Sequence, residues 1–403
     1  MIRAGRSGRK IGASLGALAA LSAVFSLRCT SSSPAAPNDA AIHLPTWLAS
    51  ARVVVSGHDV DDPYRDCRTV ICRHNENTDL TTYKGALYFV HRTALSQTLG
   101  PNSALHVYRS TDGGRAFIET ARIEAPTDRD LRDPHFYVVG GELFIKAITR
   151  LAVASARDSN VDSVTVAAHS SDGATWTPLT DVGPHGYSFW RIREHAGVYY
   201  SAAYEDGDKS VVLFSSTDGL AWTRGAPVYA VSADTPLETE LTFMPNGKLL
   251  LLVRTDGTDD ELLGDSGRLR TKVCWSSPPY ASFDCGAELA GQRLDGPLTF
   301  FDAQRARLFV VARKHLQGTG KKRTALFEIT GDLTGEAGGA LAIDERGELP
   351  SAGDTSYAGV AMLDASHALV SWYSGDLVAD RPWLLAMFDL TDVWHGVIDL
   401  GKL

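Results

Sequence analysis

The sequence predicts an all-β fold: a six-bladed β-propeller of four-stranded antiparallel blades. Three observations predict it. A short hairpin phrase recurs six times, a Ser-Asp-Gly turn ending in an aromatic recurs three times, and no helical periodicity lies between them.

The hairpin phrase is clearest at Gly247-Lys248-Leu249-Leu250-Leu251-Leu252-Val253-Arg254. A glycine turn opens an apolar run too short to span a membrane, and an arginine closes it. Such a run reads as a buried strand leaving a tight hairpin. A charge ending a buried strand needs water or a partner, so Arg254 is expected in an opening. The other copies turn at Gly85, Gly141, Gly197, Ala306 and Ser366. Turns at 85, 141, 197, 247, 306 and 366 give steps of 56, 56, 50, 59 and 60. Seven residues after each turn stand Arg92, Ile148, Tyr204, Arg254, Arg313 and Tyr373.

The chain has 403 residues, 44% of them hydrophobic, which suits one large propeller. The net charge is −9, and no dense Lys/Arg run follows the first residues, which argues against nucleic acid as a partner. Residues 1–28 read as an export signal: Arg3, Arg6, Arg9 and Lys10 precede the apolar stretch Ile11–Leu27. Residues 29–48 read as a flexible linker and 49–403 as the propeller. Cys29 resembles the lipidated cysteine of a bacterial lipoprotein start, although Arg28 replaces the usual small residue before it. Two placements stay open: a lipid-anchored outer-membrane or cell-surface protein, and a freely secreted one. A monomer is expected.

Export permits disulfides. Four cysteines remain after Cys29, allowing three connectivities. The local pairs Cys67–Cys72 and Cys274–Cys285 are expected, because each falls within one turn or hairpin. Neither pair has metal-ligand spacing, and His135, His185 and His195 are scattered, so no metal or cofactor is expected.

The second repeat runs Ser110-Thr111-Asp112-Gly113 to Phe117, Ser170-Ser171-Asp172-Gly173 to Trp176, and Ser216-Thr217-Asp218-Gly219 to Trp222. Asp-Gly makes the turn, the carboxylate ties turn amides, and the aromatic packs between sheets. These segments resemble the Asp boxes of sialidases and related propellers, whose role is structural.

In a propeller the inner strands ring a central channel, and residues in phase on different blades share one mouth. The expected mouth set is Asp79, Arg132, Asp133, His135, Trp190, Arg191, Glu238, Glu240 and Tyr357, together with Arg92, Tyr204, Arg254, Arg313 and Tyr373. Clustered arginines suit a planar anion such as a sugar carboxylate. A carboxylate nucleophile would repel that substrate; a tyrosine activated by a glutamate would not.

Here the chain resembles the sialidase family. Glu238-Thr239-Glu240-Leu241 followed by Arg254 is similar to the segment with the activating glutamate and second arginine. Val310-Val311-Ala312-Arg313 is similar to the third-arginine strand, and Gly353-Asp354-Thr355-Ser356-Tyr357 to the nucleophile segment. The resemblance implies Tyr357 as nucleophile, Glu238 as its base, and Arg254 and Arg313 as clamps; the mouth set adds Arg92, Arg132, Arg191, Trp190 and Tyr373 as expected substrate contacts. The family's first arginine has no counterpart; Arg92 would supply its charge. Asp79 and Asp133 are both candidates for the acid/base. Glu240 competes with Glu238, and Arg313 could instead staple a blade through Asp302. Two functions follow: an exported hydrolase acting on an acidic or polar glycan, or a non-catalytic propeller that binds glycans or a protein.

Overall fold

Each hairpin phrase turns between the first two strands of a four-stranded antiparallel sheet, and there are six such sheets. This computed structural model describes residues 42–60, 66–98, 100–152, 162–205, 210–257, 269–336 and 340–403. The segment expected to be an export signal and Cys29 lie outside them. The fold is the expected six-bladed propeller, with the compact unit running His43–Leu403.

The inner strands of blades one to six are His74–Tyr83, Arg129–Val139, Tyr187–His195, Pro236–Phe243, Asp295–Asp302 and Thr355–Met362. The second strands are Ala86–Ala94, Glu142–Leu151, Val198–Glu205, Leu249–Thr255, Arg307–Leu316 and His367–Gly375. Inner strands of neighbouring blades touch around the axis. Blade six is completed by Thr391–Asp399 and, outermost, by Leu48–Val55 from the other end of the chain.

The apolar run of blade four explains itself. Leu249–Thr255 is buried along its whole length, because a second strand has a sheet neighbour on each edge and a blade on each face. The cores therefore lie between blades: Val90, Leu105 and Val107 of blade one pack with Leu131, Ile145 and Val166 of blade two. Tyr83 donates across this gap to the Gly141 and Ser171 carbonyls, at 2.8 and 3.0 Å.

The three Ser-Asp-Gly turns fold alike. Ser110, Ser170 and Ser216 donate through Oγ to Asp112, Asp172 and Asp218. Each carboxylate in turn accepts backbone amides of its own turn. Both expected disulfides are present, Cys67–Cys72 and Cys274–Cys285.

One feature decides where side chains go. Every inner strand slips register once, at Glu76/Asp79, Arg132/His135, Phe189/Ile192, Pro236/Thr239, Asp295/Leu298 and Ser356/Gly359. Such bulges re-aim side chains and cluster near functional sites. At four of them the chain turns left-handed: Asn77 (φ 53°), Asp133 (49°), Gly296 (55°) and Tyr357 (47°). For a bulky tyrosine this is a strained conformation, held only because its surroundings dictate it.

Candidate active site

The bulges form a shelf across the channel, and a cavity of about 250 Å³ opens on one side of it. Five of the six turn-plus-seven residues line this cavity: Ile148, Tyr204, Arg254, Arg313 and Tyr373. Strand pairing explains the convergence. Ile148 stands opposite Arg132, Tyr204 opposite Ser188, Arg313 opposite Asp295 and Tyr373 opposite Ser356, each just before the bulge.

Tyr357 is at the centre. Its hydroxyl donates 2.6 Å to Glu238 Oε1 and accepts 3.2 Å from Arg254 Nη1. Arg254 Nη1 also bonds both oxygens of Glu238, at 2.9 and 2.6 Å. The Arg313 guanidinium lies 4.8 Å from the centre of the Tyr357 ring. Its Nη2 donates 2.7 Å to the Tyr373 hydroxyl and 3.0 Å to Asp354 Oδ1. Arg313 thus pairs with Asp354, while Asp302 pairs with Arg305. Glu240 is held away from Tyr357 by Arg193 and the Thr299 hydroxyl.

Burial sets the electrostatics. It pushes the Glu238 carboxyl up, with Asp295 and Asp256 adding to the effect and Arg254 opposing it. It also pushes Asp133 up, against the pull of Lys146 and Arg132. The Tyr357 phenol is raised well above its usual range by burial and by the neighbouring Glu238 charge. The proton on Tyr357 is therefore held firmly, with a carboxylate in hydrogen-bond contact to receive it. Asp133 lines the same cavity, and its Oδ1 accepts from Asn77 Nδ2.

The cavity thus unites Tyr357, Glu238, Asp133, Arg132, Arg254, Arg313 and Tyr373. Tyr204 lines it too, and the remaining sequence candidates stand elsewhere. Asp79 and Arg191 line a second cavity of about 250 Å³, where Arg191 Nη1 donates 2.7 Å to Asp79 Oδ1. His135 lines that second cavity too. The bulge causes the split: residues before it reach one space, residues just after it the other. Trp190 is fully buried behind Tyr357, its ring edge-on at 5.8 Å and its Nε1 donating to the Pro297 carbonyl. Arg92 is fully buried as well, clamped by Glu76 and by Asp130 at 2.7 Å. It does not line the cavity; Arg132 does. Arg132 Nε donates 2.6 Å to Asp130, while its buried Nη2 has no hydrogen-bond partner among the described residues.

Several lining residues escaped the sequence reading. Arg150 stands two residues beyond Ile148, on the same strand face. Glu76 precedes Arg92 by the same 16 residues that separate Glu238 from Arg254, a signal that could have found it. Trp383 sits on the short helix Trp383–Ala386 between the last two strands of blade six, where no periodicity announces it. Behind the wall, His74 is raised to about 9: burial lowers it, but Asp354 and Glu76 outweigh burial.

No protein-family model matches the chain, and no curated protein matches it. Solved structures do. An intramolecular trans-sialidase from Ruminococcus gnavus, in complex with oseltamivir carboxylate, is 11% identical, with a TM-score of 0.62 over 85% of this chain and 98% of that one. A sialidase from Streptococcus pneumoniae is 10% identical, with a TM-score of 0.61 over 85% and 72%. A protein of unknown function from Dyadobacter fermentans is 17% identical, with a TM-score of 0.58 over 87% and 100%. At these identities the shared property is the fold: this chain is built on the six-bladed propeller that sialidases use.

Proposed function

We propose that this protein is an exported, monomeric glycoside hydrolase of sialidase-like design, acting on an acidic or polar sugar. One observation carries the reading: the Tyr357 hydroxyl donates 2.6 Å to Glu238, with the Arg254 and Arg313 guanidiniums flanking it in a pocket. In the chemistry this supports, Glu238 takes the phenolic proton as Tyr357 Oη attacks the anomeric carbon. Asp133, whose carboxyl burial keeps protonated to higher pH, gives its proton to the departing glycosidic oxygen. Water then cleaves the glycosyl–tyrosine bond, with Asp133 taking a proton from it and Glu238 returning one to Tyr357. Arg132, Arg254 and Arg313 would hold a substrate carboxylate, and the outer wall with Trp383 would meet the rest of the sugar.

A second reading, a non-catalytic glycan binder, has one observation in its favour. Arg254 already faces Glu238, Asp256 and Asp295, and Arg313 already faces Asp354 and Tyr373, so much of the clamp's charge is answered within the protein. Fluorogenic α-sialosides and neutral glycosides, assayed with wild type and Tyr357→Phe, separate the two. Release lost in the variant supports the hydrolase. Absence of release, together with glycan binding that Tyr357→Phe retains, supports the binder. The export signal and the anchor at Cys29 are part of this proposal; labelling with a radioactive fatty acid tests the anchor.

A further inference from the structure

Behind the pocket wall, His74, Glu76 and Asp354 meet where blade one touches blade six. They are 0%, 1% and 0% exposed. His74 Nδ1 lies 2.8 Å from the Asp389 carbonyl. A carbonyl only accepts, so Nδ1 carries a proton. Nε2 then points at Glu76 Oε2 and Asp354 Oδ2, 3.4 Å from each. Neither Nε2 nor Asp354 Oδ2 has a hydrogen-bond partner among the described residues.

A nitrogen lone pair facing two buried carboxylates is repulsive, so positive charge belongs between them. It is either a second proton on Nε2 or a cation. A charge-assisted N–H···O bond contracts to about 2.7–2.9 Å. A separation of 3.4 Å fits better the edge of a tetrahedron around a metal with bonds of about 2.0–2.1 Å. The outer contacts agree. Metal-binding histidines donate their other ring N–H to a carbonyl or carboxylate, as Nδ1 does here. The far oxygens of the two carboxylates are also occupied. Glu76 Oε1 accepts from Arg92, and Asp354 Oδ1 accepts from Arg313 at 3.0 Å and Trp383 at 2.9 Å. That leaves one atom of each residue turned inward, and the three lie within 4.8 Å of one another.

We propose that His74 Nε2, Glu76 Oε2 and Asp354 Oδ2 bind one divalent transition-metal ion of the Zn²⁺ or Mn²⁺ kind. One imidazole and two carboxylates suit such an ion, whereas Ca²⁺ prefers six to eight oxygens. The neutral ring and two negative charges also balance it. The ion clamps blade one to blade six and, through Asp354, holds Arg313 and Tyr373 in place. The guanidiniums of Arg92 and Arg313 on the far oxygens weaken the site relative to one without them. The inference is independent of the sugar chemistry.

The test uses the full chain, stripped with chelator and titrated with Zn²⁺, Mn²⁺ and Ca²⁺ by calorimetry and thermal melting. One equivalent of Zn²⁺ or Mn²⁺ binds and raises Tm, and Ca²⁺ does neither. His74→Gln, and Glu76→Gln as a second variant, weaken binding about 100-fold or more while the far-ultraviolet spectrum stays that of a β-protein. If neither variant folds, wild type decides: bound Co²⁺ must shift one buried histidine ring N–H resonance in the proton spectrum. Lack of stoichiometric binding, wild-type affinity in a folded variant, or an unshifted resonance overturns the proposal and leaves a proton in the metal's place.

Discussion

Tyr357 and Glu238 reach each other across the channel, from blade six to blade four, and meet at 2.6 Å. Blade five lies between them in the ring, so the contact depends on how three successive blades are set around the axis. Tyr357→Phe removes this hydroxyl and little else. Glu238 keeps Arg254, so the stability cost is about 1 kcal/mol, that of one hydrogen bond. Glycosidase activity falls by on the order of 10³-fold or more, and Glu238→Gln falls by roughly 10²–10⁴-fold. Kinetics beside thermal melts check the pair; a Tyr357→Phe variant of wild-type activity sinks the nucleophile assignment.

The pH profile follows from burial. Glu238 must be ionised to accept a proton, and burial raises its carboxyl, so the acidic limb of kcat/KM lies above the ordinary carboxylate range. Asp133 must be protonated to donate, and burial raises it too, so the basic limb is displaced upward as well. Asp133→Asn removes the basic limb, and the loss is smallest on substrates with activated aryl leaving groups. An acidic limb near 4.3, the unperturbed glutamate value, would contradict the assignment.

Gly296 supports the Tyr357 ring from below. Its φ is 55°, and a Cβ there would stand 3.1 Å from the ring. Gly296→Ala is strained in backbone and in packing, at a cost of about 1–3 kcal/mol. Because the displaced group is the proposed nucleophile, kcat falls further than the loss of stability explains. A variant that is destabilised yet fully active refutes this support role.

Arg313→Lys keeps the charge but loses the planar guanidinium, whose Nη2 bonds Asp354 and Tyr373 while its Nε bonds the Thr355 carbonyl. A carboxylate-bearing substrate then shows KM raised on the order of tenfold, from about 1.5 kcal/mol of lost charge-assisted bonding. Neutral glycosides show little change. Equal effects on both substrate types would mean that Arg313 does not read a carboxylate.

Reducing Cys274–Cys285, which ties the third strand of blade four to its outer edge strand, costs roughly 2–3 kcal/mol. Because reductant would also open Cys67–Cys72, the measurement is a denaturant melt of the double variant Cys274→Ser, Cys285→Ser beside wild type. Tyr357, the proposed nucleophile, is on another blade, so activity per folded molecule is unchanged.

Much of this architecture was legible because a strand alternates with a period of two and a blade repeats at a nearly constant step. Counting seven from each turn brought Ile148, Tyr204, Arg254, Arg313 and Tyr373 to one cavity. The same count failed for Arg92, whose buried carboxylates Glu76 and Asp130 hold it inside the wall. Asp79 and Arg191 were placed with Tyr357 and lie in the other cavity, since one bulged residue reverses which space the next side chain enters. No local pattern marks the bulge at Tyr357, whose ring packs by Gly296 and Trp190 and whose hydroxyl bonds Glu238, all on other blades.

Blade six takes its outermost strand, Leu48–Val55, from the beginning of the chain and its other three from the end. During synthesis Leu48–Val55 therefore meets its sheet neighbour only once Thr391–Asp399 has been made. The blade that carries Tyr357 and Tyr373 is thus the last to be completed, so the pocket is framed only once both segments have come together. Loss of either segment, Leu48–Val55 or Thr391–Asp399, strikes the one sheet that carries both tyrosines.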